Sequence, residues 1–174
     1  MNTPDQLWRR PEDDYGCFPA GHGLWAAALW VYVPAAPVSK ANHRVSTTSS
    51  RSAPWAKVRA FEAEVALLLR RARPAGWDAS GSGPVRARPA TVVAVFASTT
   101  LDAGNVSKSV LDAAQGVLYP SDAQVPACAE VVQRSLSDRW MVVAAAQPAK
   151  GVAAHEALTA LVGAAAGLVV PGNT

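Results

Sequence analysis

The chain has 174 residues, half of them hydrophobic, and its 16 basic and 13 acidic side chains leave a formal net charge of +3. That length suits one domain able to bury a core, and the balance of apolar to charged residues excludes a disordered or fibrous chain. The charge is uneven: ten basic residues against three acids lie between Lys40 and Arg88, a block of +7 that leaves the rest of the chain at −4.

Residues 1–22 read as an irregular leader, rich in proline, glycine and charge and too polar for a secretory signal. Residues 23–170 then read as a single domain. "LWAAALWVYV", from Leu24 to Val33, is a buried strand ending in aromatic and β-branched residues. After an extended loop, "TTSSRSAP" carries helix-start chemistry, with Ser52 placed to cap and Pro54 tolerated in the first turn. The helix is expected to reach Arg73, with Val58, Phe61, Val65 and Leu68 on one apolar face. Arg70, Arg71 and Arg73 crowd its last turn, where the helix dipole favours cations, and Pro74 and Gly76 stop it.

"RPATVVAVFAST" is the clearest strand, β-branched and apolar throughout. A helix follows from Asn105, a candidate cap, to about Gln115, with Val106, Val110 and Ala113 facing inward and Gly116 ending it. Lys108 and Asp112 are four residues apart on it, a spacing that suits pairing across the exposed side. After the turn "YPSD", the segments "CAEVVQRSL" and "RWMVVAAAQ" read as a hairpin. The last helix, about His155 to Gly167, overlaps the 14-residue apolar run "ALTALVGAAAGLVV", which suits packing better than crossing a bilayer. Interleaved strands and helices predict an α+β fold, a mixed β-sheet with helices packed on it. Cys17 and Cys128 match no metal-binding spacing and read as free thiols in a reducing compartment, which places the protein in the cytoplasm with no membrane partner.

The chemistry concentrates in "LDAGNVSKSVLDAAQGVLYPSDAQV", residues 101–125. Asp102 follows one strand and Asp122 precedes the next, so neighbouring strands would bring both carboxylates to one sheet edge. Two carboxylates with waters suit Mg²⁺, with Mn²⁺ as an alternative. Lys108, in the first turn of the intervening helix, could then hold a phosphate or a leaving oxygen. Each residue also has a plainer role: Asp102 as a helix-start carboxylate, Asn105 as a cap, Lys108 as a solvated lysine, Asp112 as a structural hydrogen-bond or ion-pair partner, Asp122 as a turn residue. Spacing leaves both readings open.

The pattern D-x-x-N-x-x-K, then "LDA", "GVL" and "SDAQV", resembles the signature of the RusA-type Holliday junction resolvases, over roughly residues 28–147. The upstream "VPAAPVSKANHR" and "FEAEV" resemble that family's opening strand, basic loop and first helix. The resemblance implies a homodimeric, Mg²⁺-dependent endonuclease that cuts four-way DNA junctions in recombination and repair. Position by position, it implies catalytic roles for Asp102, Lys108 and Asp122, with Asp102 and Asp122 as metal ligands and Asp112 as structural. Lys40, Arg44, Arg51, Lys57, Arg59, Arg86 and Arg88 are the candidate contacts to the DNA backbone. The main departure is at Gly104, which stands where the family carries a second catalytic aspartate; Ser121 also replaces a further acid. That departure opens a second reading, a protein that binds branched DNA without cutting it. It also opens a third, a structural or regulatory module that has lost DNA affinity as well, and it leaves the endonuclease the option of borrowing another acid, Glu130 being a candidate.

Overall fold

The computed structural model describes residues 11–19, 23–38, 53–80, 89–102, 104–136 and 138–169. Five strands and three helices follow in the order β1 (Tyr15–Cys17), β2 (Trp25–Val33), α1 (Ala53–Ala72), β3 (Val92–Thr99), α2 (Asn105–Ala114), β4 (Ala127–Arg134), β5 (Trp140–Pro148) and α3 (Ala154–Val169). A short 3-10 turn, Asp122–Gln124, precedes β4. The strands form one sheet in the order β1-β2-β5-β3-β4. Only β3 and β4 run parallel; β1/β2, β2/β5 and β5/β3 are antiparallel. This is the α+β architecture expected, a mixed sheet with helices on it.

Both sheet faces are covered, so the three middle strands are apolar on both sides instead of alternating. On one face Leu29, Val31, Val33, Val93, Val95, Met141 and Val143 pack against Phe61, Val65 and Leu69 of α1 and Val106 and Val110 of α2. The inward stripe of α1 thus passes through Leu69, with Leu68 packed half-buried beside it. On the other face Trp25, Trp30, Tyr32, Phe96, Trp140 and Val142 meet Ala157, Leu161, Ala165 and Val169 of α3. The C-terminal apolar helix is therefore one lid of the core, and among the described residues no helix is long and apolar enough to cross a membrane.

Two expectations fail here. The segments after residue 126 do not form a hairpin: β5 lies between β2 and β3, and β3 separates it from β4. The physical reason is two-sided burial. Eight of the nine residues of β5 are buried, which demands a central place, whereas no residue of β4 is fully buried, as befits an edge. The connection passes over the end of β3, where the Ser98 hydroxyl donates to the Asp138 carbonyl at 2.6 Å and Ser135 N–H to the Thr99 carbonyl at 3.1 Å. The leader is not wholly irregular either, because Tyr15–Cys17 pairs with β2. Gly16 sits opposite Trp30, and a Cβ there would stand 2.8 Å from the indole nitrogen, so any larger residue would have to displace the indole.

Two hydrogen bonds tie the segment just after α1 to the turn after α2, and so help to fix how α2 lies. The buried Trp77 indole donates to the Leu118 carbonyl at 2.9 Å, and Arg73 Nη1 donates to the Val117 carbonyl at 2.8 Å. The Ser109 hydroxyl, inside α2, donates to the Val38 carbonyl at 2.6 Å and pins the chain leaving β2 against the same helix.

Candidate active site

The strand β3 ends at Thr99, and the chain turns back through Asp102 into α2. The turn needs an unusual backbone at its corner. Gly104 is the N-cap residue of α2, held at φ 89° in the left-handed region. Glycine adopts that conformation freely, while another L-residue there costs about 1–2 kcal/mol. No side chain of the turn caps the helix, so Asn105 is its first residue and not its cap.

The cap comes instead from across the sheet. Glu130 of β4 reaches over with its carboxylate, and Oε2 accepts hydrogen bonds from Gly104 N–H at 2.9 Å and Ser107 N–H at 3.1 Å. A carboxylate at a helix N-terminus satisfies orphan N–H groups and meets the positive end of the dipole, an arrangement typically worth about 0.3–1 kcal/mol. Its other oxygen, Oε1, is buried with no hydrogen-bond partner among the described residues. Four residues further along β4, on the same face, Arg134 Nη2 donates to Asp102 Oδ1 at 2.7 Å. This pair is open to water, its side chains being 78% and 73% exposed, so it holds Asp102 only weakly. Lys108 lies exposed near the start of α2. The contacts thus join Arg134 to Asp102 and Glu130 to the head of α2, with Lys108 exposed about one turn into that helix.

Asp122 is elsewhere. The expectation that it meets Asp102 assumed that adjoining strands would present both at one end. The strands do adjoin, but β3 and β4 are parallel, joined by the helical crossover such a pair requires. Thr99 stands beside Arg134 and Val92 beside Ala127. Asp102 therefore lies at the C-terminal end of this pair. Asp122 lies at the other end, beside Gln124, whose carbonyl accepts from Thr91 N–H at 2.8 Å. Eight-residue strands put those ends roughly 23 Å apart. Within one chain the two carboxylates do not share a cation. Asp122 instead adds to the electrostatic surroundings of Tyr119, a buried phenol that donates to the Leu111 carbonyl at 2.8 Å. Burial holds that phenol well above its ordinary pKa, and the charges of Asp122, Cys128 and Asp112 push the same way. Asp112 itself is half-buried in the middle of α2.

Of the candidate DNA contacts, Lys57 and Arg59 are exposed on α1, while Lys40, Arg44, Arg51, Arg86 and Arg88 lie outside the described residues. Sequence reasoning missed Arg134 altogether and named Glu130 only as a spare acid. Their partners lie 32 and 26 residues away, and no local spacing signals such contacts.

Residues 34–140 match the family described as Endodeoxyribonuclease RusA, a span of more than half the chain. The chain belongs to the RusA endodeoxyribonuclease family. No curated protein matches it. The RusA match takes in β3, the Asp102 turn, α2 and β4, and so encloses the whole cluster around the head of α2. Membership in the RusA family makes DNA phosphodiester chemistry the frame for that cluster. The residues suit a divalent cation of the Mg²⁺ type. Among the described residues no three His, Cys, Asp or Glu side chains converge as a metal site. Mg²⁺, however, is commonly held by only one or two carboxylates, with waters and substrate phosphates completing its shell. Asp102, weakly paired, and Glu130, with an unpartnered oxygen, are the carboxylates available for that.

Proposed function

We propose that the protein is a Mg²⁺-dependent endonuclease, able to use Mn²⁺, that acts on four-way or otherwise branched DNA in the cytoplasm during recombination and repair. The observation that carries this reading is the Asp102 turn. A solvent-open carboxylate precedes a helix head, and an exposed lysine follows in that helix, inside the segment that matches a DNA endonuclease family. Asp102 would hold the cation in place of its loose, solvent-open pair with Arg134. Lys108 faces the phosphate and offsets charge on the departing oxygen. A bound divalent ion makes a water acidic enough to attack at neutral pH and draws charge from the scissile phosphate. The basic residues of the 40–88 block grip the DNA arms through phosphates, which carry no sequence information.

We further propose a homodimer. Asp122 matches the last acid of the family pattern but lies at the far end of β3/β4 from Asp102 in its own chain. A role for it beside Asp102 therefore requires Asp122 of a second copy. A two-fold dimer also suits a two-fold junction and paired cuts.

Gly104 favours a second reading, a RusA-family protein that binds branched DNA without cutting, because it carries no side chain where the family has an acid. A synthetic four-way junction incubated with Mg²⁺ separates the two. Paired nicks abolished by Asp102→Asn support the endonuclease. A shifted band with no nicks, in Mg²⁺ and in Mn²⁺, supports the binder.

A further inference from the structure

We propose that the protein pairs with a second copy of itself along β4, the two edge strands lying antiparallel about a two-fold axis at Val132. This inference rests on the homodimer reading and names its surface. Among the described residues β4 pairs with β3 alone, and its eight residues run beside β3 one for one, from Ala127 beside Val92 to Arg134 beside Thr99. Part of its backbone N–H and C=O groups therefore faces outward along the sheet edge. Exposed edges of this length are usually blunted by proline, lysine, a bulge or a short strand. The opposite edge, β1, is three residues long. Strand β4 carries none of these devices, and Val131 stands exposed in its middle.

Charge selects both the partner and the register. The charged side chains of β4 are Glu130 and Arg134, one of each sign. Antiparallel pairing about Val132 sets Glu130 opposite the partner's Arg134 and Arg134 opposite the partner's Glu130, so two ion pairs form at once. A two-fold register centred on Glu130 or on Arg134 would instead set like charges face to face. A guanidinium has five donors, so Arg134 can keep its own Asp102 while it meets the partner's Glu130. The same pairing carries the start of one β4, where Asp122 lies, alongside the finish of the other, where Asp102 lies. That is the relation between the two ends that the proposed dimer needs.

The test is sedimentation equilibrium of the full chain together with oxidative cross-linking. The parent is expected to be a dimer. Val131→Lys puts a lysine in the middle of the edge, twice per dimer, and is expected to raise the dissociation constant by about tenfold. Leu67→Lys, at an exposed position of α1, is expected to leave it unchanged. In a chain carrying Cys17→Ser and Cys128→Ser, Val132→Cys places two thiols opposite one another on the axis, and a mild oxidant is expected to join them. In the parent the two Cys128 thiols lie roughly 27 Å apart across the axis, a separation of eight strand residues, and are expected to stay free. A dimer that neither loosens with Val131→Lys nor cross-links at position 132 overturns the inference and leaves the homodimer reading standing. Cross-linking of the parent through Cys128 overturns the register. A chain that is monomeric with and without a four-way junction removes both. If Val131→Lys fails to fold, the cross-link at position 132 decides alone.

Discussion

At the scale of single residues, the turn after β3 divides its work between glycine geometry and borrowed side chains. Asp102 is held by Arg134 in a pair open to solvent, and such pairs contribute about 0–1 kcal/mol. Arg134→Gln is therefore expected to leave Tm within a degree or two of the parent. It should also tighten Mn²⁺ binding, because Asp102 no longer has a competing cation; weaker Mn²⁺ binding would show instead that Arg134 helps to place the carboxylate. Tyr119 offers a pH test. Its folded pKa is raised above the ordinary 10.0, so the folded state holds that proton more tightly than the unfolded chain. The associated stability is complete below about pH 10 and is lost as pH rises above it. Urea unfolding from pH 8 to pH 11.5 should show that loss, and Tyr119→Phe should make it shallower. Phe also removes the hydroxyl's bond to the Leu111 carbonyl, which keeps Gln115 N–H as a donor, so the variant should cost about 0.5–1.5 kcal/mol at neutral pH. That Asp102 follows β3 and Lys108 lies near the start of α2 was legible in the sequence because strand, turn and helix start are local signals. Glu130's cap on α2 and Arg134's pairing were not, because each arises from a register between strands distant in the chain.

At the scale of elements, periodicity located β2, α1, β3, α2 and α3 to within a few residues, and the pairing of strands was the harder part. Adjacent segments after residue 126 suggested a hairpin, yet β5 sits between β2 and β3. The distinguishing signal was present in "RWMVVAAAQ", apolar on both faces, against "CAEVVQRSL", which carries Glu130, Gln133 and Arg134. The same oversight misplaced Asp122: a crossover helix between two adjoining strands makes them parallel, and parallel strands carry their two flanking loops to opposite ends. The energetic weight of α3 is testable. Leu161 is fully buried against the second sheet face, so Leu161→Ala is expected to cost about 2–5 kcal/mol in urea unfolding. A cost under about 1 kcal/mol would mean that α3 is not a lid of the core.

At the scale of the whole molecule, both sheet faces of the domain are covered, and the proposed chemistry falls at one edge, where β4 and the head of α2 meet. The basic block of residues 40–88 carries a charge of +7 that the modest net charge of +3 conceals, and in the proposed function it meets DNA phosphates. Binding through phosphates should respond steeply to salt: even four such contacts weaken junction affinity roughly a hundredfold between 50 and 200 mM. A flat salt profile would count against backbone binding. The proposed dimer has its own signature. Asp102→Asn and Asp122→Asn, each inactive alone, should regain about a quarter of the parental sites when mixed and allowed to exchange subunits, because half the dimers then hold one intact composite site. The most direct test of the account remains cleavage of a labelled four-way junction in Mg²⁺ by the parent and by Asp102→Asn at matched junction binding. The account predicts paired nicks from the parent and none from the variant. Equal cleavage by the two would contradict it.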